Sequence, residues 1–317
     1  MLRIGWIGFH MEGIPALEAV LDQGIPVQAV ITLNGTQLAK RSAAVDYGAV
    51  TSRHGVPLYR VANINDEESV KLLRGLALDV VFVLGWSQII RPPALTLPRL
   101  GMIGAHASLL PHNRGSAPIN WTIIRGEKQA GNTLMWLADG VDSGHIIDQA
   151  SFPVTDYDTC ATLYEKVAES NREMVLRLLP KLLRGEQVGR PQAHTDEEVL
   201  PRRKPEHGRV EWFKGSRAVY DFIRALARPY PGAFSSLDGE RWMIWQAALW
   251  PGEVPGPAAP GQVLGPVVSP VPGACGQAVA CGRGAVILLE VEDKQGRVLK
   301  GPELSDQAWR GKVGTDG

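Results

Sequence analysis

Short apolar runs alternate with amphipathic stretches over the first two-thirds of the chain. Ile4 to Ile7, Val27 to Thr32 and Val56 to Tyr59 are apolar and β-rich and are predicted as strands. Asp79 to Leu84 is a nearly continuous apolar run, as a strand covered on both faces requires. Between these, Ile14 to Leu21, Ala43 to His54 and Glu67 to Arg74 read as helices, with Leu17 and Leu21 four apart on one face of the first. Thr133 to Leu137 is a further strand and Thr162 to Leu183 a long helix. Strands alternating with helices imply an open sheet with crossover helices.

The pattern then changes. Gly185 to Lys204, rich in Gly, Pro, Arg and His, reads as a linker. Arg209 to Trp212 and a helix near Ala218 to Ala227 lead into Pro229-Tyr230-Pro231-Gly232. Arg241 to Trp250, Gln277 to Cys281 and Ala285 to Val291 are short β-rich runs between Gly/Pro turns, which suits a small antiparallel barrel. The expected architecture is α/β: a Rossmann-like parallel-sheet domain over residues 1–203, then a small OB-like β-barrel domain over 204–317.

Composition narrows the function. A hydrophobic fraction of 44% and a charged fraction of 21% are those of a soluble globular protein. The 33 basic and 33 acidic residues leave no cationic excess for phosphate neutralisation, which argues for a small-molecule partner over nucleic acid. Cys160, Cys275 and Cys281 include no Cys-x-x-Cys pair, so free thiols in a reducing compartment are expected and a zinc site is not. Met1 to Gly5 runs straight into a strand without a signal-peptide pattern, and no apolar run approaches the ~20 residues of a membrane span. The expectation is a cytoplasmic protein with no membrane association and no metal. Nothing in the sequence speaks to oligomeric state.

Gly5, Gly8 and Gly13 follow the first strand without the G-x-G-x-x-G spacing of dinucleotide sites, which disfavours a nicotinamide cofactor. They fit either a tight strand-to-helix turn or a loop beneath a substrate phosphate or sugar. The segment richest in chemistry is GMIGAHASLLPHNRGSAPINW, residues 101–121. Its His106 ends an apolar strand candidate, at the edge where open α/β sheets hold ligands, and histidine moves protons near neutral pH. Downstream, Asp139 and Asp142 flank a glycine in a turn between two strands, where a carboxylate can orient His106 or favour its charged form.

These residues resemble the folate-dependent formyltransferases. That family's signature, Asn-x-His-x-Ser-Leu-Leu-Pro followed by Arg-Gly and Ala-Pro-Ile, is matched from His106 to Ile119. Arg202 to Glu206, Val210-Glu211-Trp212 and Pro229 to Phe234 resemble the members with a C-terminal barrel. The chain also resembles the domain that formylates UDP-4-amino-4-deoxy-L-arabinose. The resemblance implies transfer of a formyl group from 10-formyltetrahydrofolate to an amine of a small nucleotide-sugar or natural-product substrate. It makes His106 and Asp142 catalytic. It assigns the pterin to main-chain groups of Gln88, Ile89 and Ile90 and of Ala138, Asp139, Gly140 and Val141, and the substrate to Ser108, Arg114, Ser116 and Asn120. It also implies a cis Leu110–Pro111 bond.

Two positions depart from the family. Gly104 stands where the family has an asparagine whose amide meets the developing oxyanion, a donor worth ~2.7–4 kcal/mol in such sites. Asn113, Asn120, His10 and His112 are the nearby polar side chains that could replace it. Ser116 replaces an arginine of the sugar-modifying relative; together the two small residues suggest an enlarged or altered pocket. The alternatives are a retuned one-carbon enzyme, such as a hydrolase of the formyl donor, and a non-catalytic folate-binding protein.

Overall fold

The computed structural model describes residues 2–237, 239–254, 256–307, 309 and 313. The chain forms two compact units. One comprises residues Met1–Pro118, Gln129–Pro153 and Leu163–Arg202; the other comprises Ile119–Lys128, Val154–Thr162 and Arg203–Gly317.

The first unit is built on seven strands: β1 (Ile4–Ile7), β2 (Val27–Leu33), β3 (Leu58–Val61), β4 (Val80–Val83), β5 (Gly101–His106), β6 (Gln129–Trp136) and β7 (Ile146–Pro153). Their order is β3-β2-β1-β4-β5-β6-β7. The first five in that order are parallel, and β6 and β7 run antiparallel at the end. The all-apolar stretches of β1 and β4 are buried on both faces, as adjacent central strands must be. The first unit's helices are α1 (Ile14–Asp22), α2 (Gly35–Leu38), α3 (Gly48–His54) and α4 (Glu67–Leu76), while α5 (Pro118–Ile124) belongs from Ile119 to the second unit and α6 (Cys160–Leu183) belongs to the first from Leu163 onward. Leu163, Val167, Met174, Leu178 and Leu182 form the buried stripe of α6 at four- and seven-residue spacing.

Three segments differ from expectation, each for a local reason. The helix expected over residues 43–54 begins only at Gly48. Ala43 carbonyl accepts from Met11 and Val45 N–H donates to Phe9, so residues 43–45 brace the exit of β1 instead. β3 starts at Leu58 rather than Val56, because Pro57 has no N–H for the ladder; its carbonyl accepts from Val30. The expected linker is not free chain: Arg190 exchanges two backbone bonds of 2.8 Å with Ile146, and Leu200 bonds Arg114 and Ser116 at 2.7 and 3.1 Å.

The early glycines are explained by packing. A Cβ at Gly8 would lie 2.5 Å from the Leu84 carbonyl oxygen and 2.6 Å from the Tyr47 hydroxyl, and one at Gly13 would strike the same two groups. Tyr47 is fully buried and donates to His10 carbonyl at 3.0 Å, and burial pushes its phenol far above its ordinary pKa. The turn after β1 is thus filled from beneath by protein.

The second unit contains α7 (Ser216–Ala225), β8 (Ala233–Leu237), β9 (Glu240–Leu249), β10 (Val263–Val267), β11 (Gly276–Ala280), β12 (Ala285–Glu292), β13 (Val298–Lys300) and α8 (Pro302–Ser305). All its strand pairs are antiparallel, in the order β10-β11-β12-β9-β8, with β13 on the far half of β12. Its core holds Val210, Trp212, Ile223, Ile244, Val286 and Leu288. Among the described residues, no helix is long and apolar enough to cross a membrane.

Candidate active site

The strand order reverses between β1 and β4, which makes the carboxyl edge of β1, β4 and β5 the ligand side of the sheet. His106 is the last residue of β5 and is nearly buried. Its ring bridges two loops. Nε2 lies 2.8 Å from the Asn113 carbonyl oxygen, which can only accept, so Nε2 carries a proton. Nδ1 faces Asp142 Oδ2 at 3.5 Å, within ion-pair range but long for a hydrogen bond. That carboxylate oxygen takes its short bond, 2.8 Å, from the Gly115 N–H.

The first loop turns sharply after Leu110–Pro111, which is cis as expected. Ser108 hydroxyl donates to His112 carbonyl at 2.7 Å, and Ser108 carbonyl accepts from Thr133 hydroxyl at 2.6 Å. Thr133 Oγ1 also accepts from Leu110 N–H and from the Gln149 amide. Asn113 and Ala117 sit at φ +57° and +54°, and Asp142 at +49°, so the site concentrates left-handed conformations that ordinary residues avoid. In the second loop a Cβ at Gly144 would overlap the Trp136 carbonyl, so only glycine fits after Asp142-Ser143.

The residues expected at the site divide into groups. His106 and Asp142 come together with main-chain groups of Asn113 and Gly115, and Gln192 ties the Arg114 guanidinium to the Asp142 turn. Gln88 follows β4 but turns its side chain inward, accepting from Ile64 N–H and donating to Ala62 carbonyl, both at 2.9 Å. Ile90 is buried, whereas Ile89 is 57% exposed. Ala138, Asp139 and Gly140 lie on the exposed turn, and Val141 there is 45% exposed. Ser116 uses its backbone to hold Leu200. Asn120 belongs to the second unit and is 1% exposed, with its amide donating to Ala225 carbonyl at 2.5 Å.

Sequence reasoning missed three supporting residues. Asn65 donates to Ile89 carbonyl and accepts from Arg91 N–H, each at 2.8 Å, and so pins the loop after β4. Asn132 on β6 bonds Ser170 and Asn171 on α6, while Asn171 reaches Glu12 carbonyl in the turn after β1. Gln192 takes Arg114 Nη2 at 2.7 Å and donates to the carbonyls of Asp142 and Gly144 at 2.8 and 2.7 Å. Each partner is 24 to 78 residues away in sequence, so no local pattern announces it.

Gly104 lies two residues before His106 on the same face of β5. A Cβ there would stand 2.5 Å from Leu137 Cδ2 and 3.2 Å from its Cγ. The space released by the glycine is occupied by an isobutyl group, not left as an enlarged pocket. Asn113 meets His106 through its backbone carbonyl, an acceptor, which is not the donor role expected of its side chain.

Comparison with known proteins matches residues 14–179 to the formyl transferase family and 202–308 to the formyl transferase C-terminal domain. This chain belongs to the formyltransferase family. The formyltransferase is 30% identical to a methionyl-tRNA formyltransferase of Enterococcus faecalis over 292 residues, 92% of this chain and 90% of that one. Among solved structures it is similar to HypX from Aquifex aeolicus in complex with tetrahydrofolic acid, with TM-score 0.63 and 18% identity. That alignment covers 95% of this chain but only 46% of HypX. It is also similar to WlaRD, a sugar 3N-formyl transferase solved with dTDP and 5-N-formyl-THF, with TM-score 0.65 and 16% identity over 93% of this chain and 98% of that one. At these identities the structural likeness speaks for the fold.

Proposed function

We propose that this formyltransferase moves a formyl group from 10-formyltetrahydrofolate to the amine of a small acceptor, a nucleotide-linked sugar or natural product. The observation that carries the reading is His106 at the carboxyl edge of β5, with Asp142 against one ring nitrogen and a main-chain carbonyl against the other. The pterin assignment draws support from the loops at Gln88–Ile90 and Ala138–Val141. Each leaves a large apolar side chain exposed, Ile89 and Val141, which suits a flat ring system held by neighbouring backbone groups.

The bound donor supplies the electrophilic formyl carbon. As the amine nitrogen bonds to the formyl carbon, the bond from that carbon to N10 of the folate would break and the proton lost by the amine would pass to N10, while the His106 Nε2–H stabilises the formyl oxygen as negative charge develops there. To reach that oxygen, the Nε2–H exchanges its Asn113 carbonyl partner for the substrate. Asp142 orients the ring through Nδ1. Gly104 contributes no donor, so His106 carries more of the oxyanion stabilisation than it would beside an asparagine.

A second reading, an aminoacyl-tRNA acceptor, is favoured by the 30% identity to methionyl-tRNA formyltransferases over nine-tenths of the chain. The balanced charge of 33 basic and 33 acidic residues favours the small acceptor. Tetrahydrofolate release from 10-formyltetrahydrofolate tests both, measured with a nucleoside-diphosphate amino sugar, with methionyl-tRNA and with no acceptor. Release driven by the amino sugar is expected. Release driven only by the tRNA would move the assignment, release without acceptor would indicate a hydrolase, and binding without release a folate-binding protein.

A further inference from the structure

We propose that Gln192 is a positioning residue that holds the Asp142 turn and Arg114 in register with His106. The proposal rests on the reading of His106 and Asp142 as the reacting pair. Gln192 lies in the irregular segment between α6 and the second unit's residues, which sequence alone presents as a linker. Its side-chain amide is saturated. Both N–H groups are spent on consecutive turns of backbone, Asp142 carbonyl at 2.8 Å and Gly144 carbonyl at 2.7 Å, and Oε1 accepts from Arg114 Nη2 at 2.7 Å and Nε at 3.3 Å. These partners leave one orientation of the amide: acceptors face its nitrogen and donors face its oxygen.

The amide thereby cross-links the two loops that converge on His106. Asp142 sits at φ +49°, a conformation that persists only when surrounding groups impose it, and Gln192 is the side chain bonded to its carbonyl. The same segment is anchored on both sides of Gln192. Arg190 pairs with Ile146 at the end of the second loop, and Leu200 pairs with Arg114 and Ser116 on the first. Glu197 adds a third tie, bonding His112 Nδ1 at 2.5 Å and Asn113 N–H at 3.2 Å. The segment is a strap, and Gln192 is where it touches the residue bearing the carboxylate.

Two variants of the full chain separate this role from a structural one. Gln192→Ala removes every bond. Gln192→Glu keeps an acceptor for Arg114 but removes both donors and sets carboxylate oxygens against two carbonyls. In the ligand-free protein, exchange of the Gly115 amide, which Asp142 protects, is expected to accelerate at least about fivefold in both variants, with β1 amides unchanged. In turnover of 10-formyltetrahydrofolate with the amino sugar or methionyl-tRNA, whichever the wild type uses, kcat is expected to fall ~10- to 100-fold in both variants, with acceptor KM held within about threefold. Wild-type exchange at Gly115 in both variants would overturn the proposal, as would a Gln192→Glu protein with wild-type exchange and kcat, since the function would then belong to the Arg114 contact alone. Absence of turnover in the wild type counts against formyl transfer, not against this role, because the exchange measurement needs no substrate.

Discussion

Arg114 in the first unit and Arg224 in the second show how differently the two units spend charge. Arg114 is half-buried, bonds a neutral amide and stands beside a turn whose carboxylate faces an imidazole. Arg224 is 5% exposed, bonds Asp221 at 2.7 Å and donates to the carbonyls of Thr155 and Asp158. Arg203 lies between the rings of Trp121 and Phe222 at 5.1 and 5.4 Å, and Arg228 bonds Glu290 and Glu292 over the Trp245 ring. These cations of the second unit are committed to packing, ion pairs and nearby carbonyls. In the first unit polar groups converge on backbone carbonyls of two loops at a sheet edge, and a titratable ring stands among them. Carbonyl contacts occur in both units, as Arg224 shows, and what sets the first apart is the imidazole of His106 among them.

The sharpest way to break this contrast is His106→Ala, expected to lower formyl transfer by on the order of 10³-fold, with thermal unfolding nearly unchanged because the ring ends a strand rather than filling a core. Asp142→Ala is expected to fall comparably, and the double variant well short of the product of the two. A product of the two losses would show that the carboxylate does not act through the ring. Next is Asp221→Ala, which strands a buried guanidinium. It should destabilise the second unit by about 3–5 kcal/mol in denaturant unfolding, while leaving the assigned catalytic groups in place. A loss under 1 kcal/mol would show that its carbonyl partners suffice.

Gly104→Asn tests the departure from the family pattern. With Leu137 against the new Cβ, kcat is expected to fall several-fold, and Gly104→Asn/Leu137→Ala to recover it. A rise in kcat in the single variant would mean that Leu137 yields and the amide reaches the formyl oxygen. The smallest effect belongs to Asp156, which hydrogen bonds to Arg217 and, beside it, Lys128 hold at a pKa of about 2. A carboxylate depressed below its unfolded value of ~3.9 stabilises the folded unit above that pH and loses the contribution as pH falls toward its folded pKa. Asp156→Asn should therefore flatten the acid limb of unfolding between about pH 4 and pH 2, read by thermal melts, without altering turnover at neutral pH.

Much of the fold was legible in the chain. Ile4–Ile7, Glu67–Leu76 and Ala285–Glu292 appear within a few residues of where their patterns place them, because burial on one or both faces writes itself into local periodicity. The site was legible as far as His106 and Arg114, which share one contiguous motif, and Asp142, which lies in a second short segment downstream. Asn65, Asn132 and Gln192 were not, because each serves a loop distant in sequence and leaves no local spacing to read.

By itself the sequence determined the alternation of strands and helices, the later run of short strands between Gly/Pro turns and the His106 motif with its glycine at 104. These follow from local preference, hydrophobic period and the identity of neighbours along the chain. Tertiary structure alone decided that residues 43–45 brace β1 rather than start a helix, that Gly8 and Gly13 make room for Tyr47 and Leu84, that Leu137 fills the space beside Gly104, and that residues 189–200 fasten the two loops of the site. In each case the deciding partner arrives from another element, and its hydrogen bonds or steric contact outweigh what the segment prefers alone.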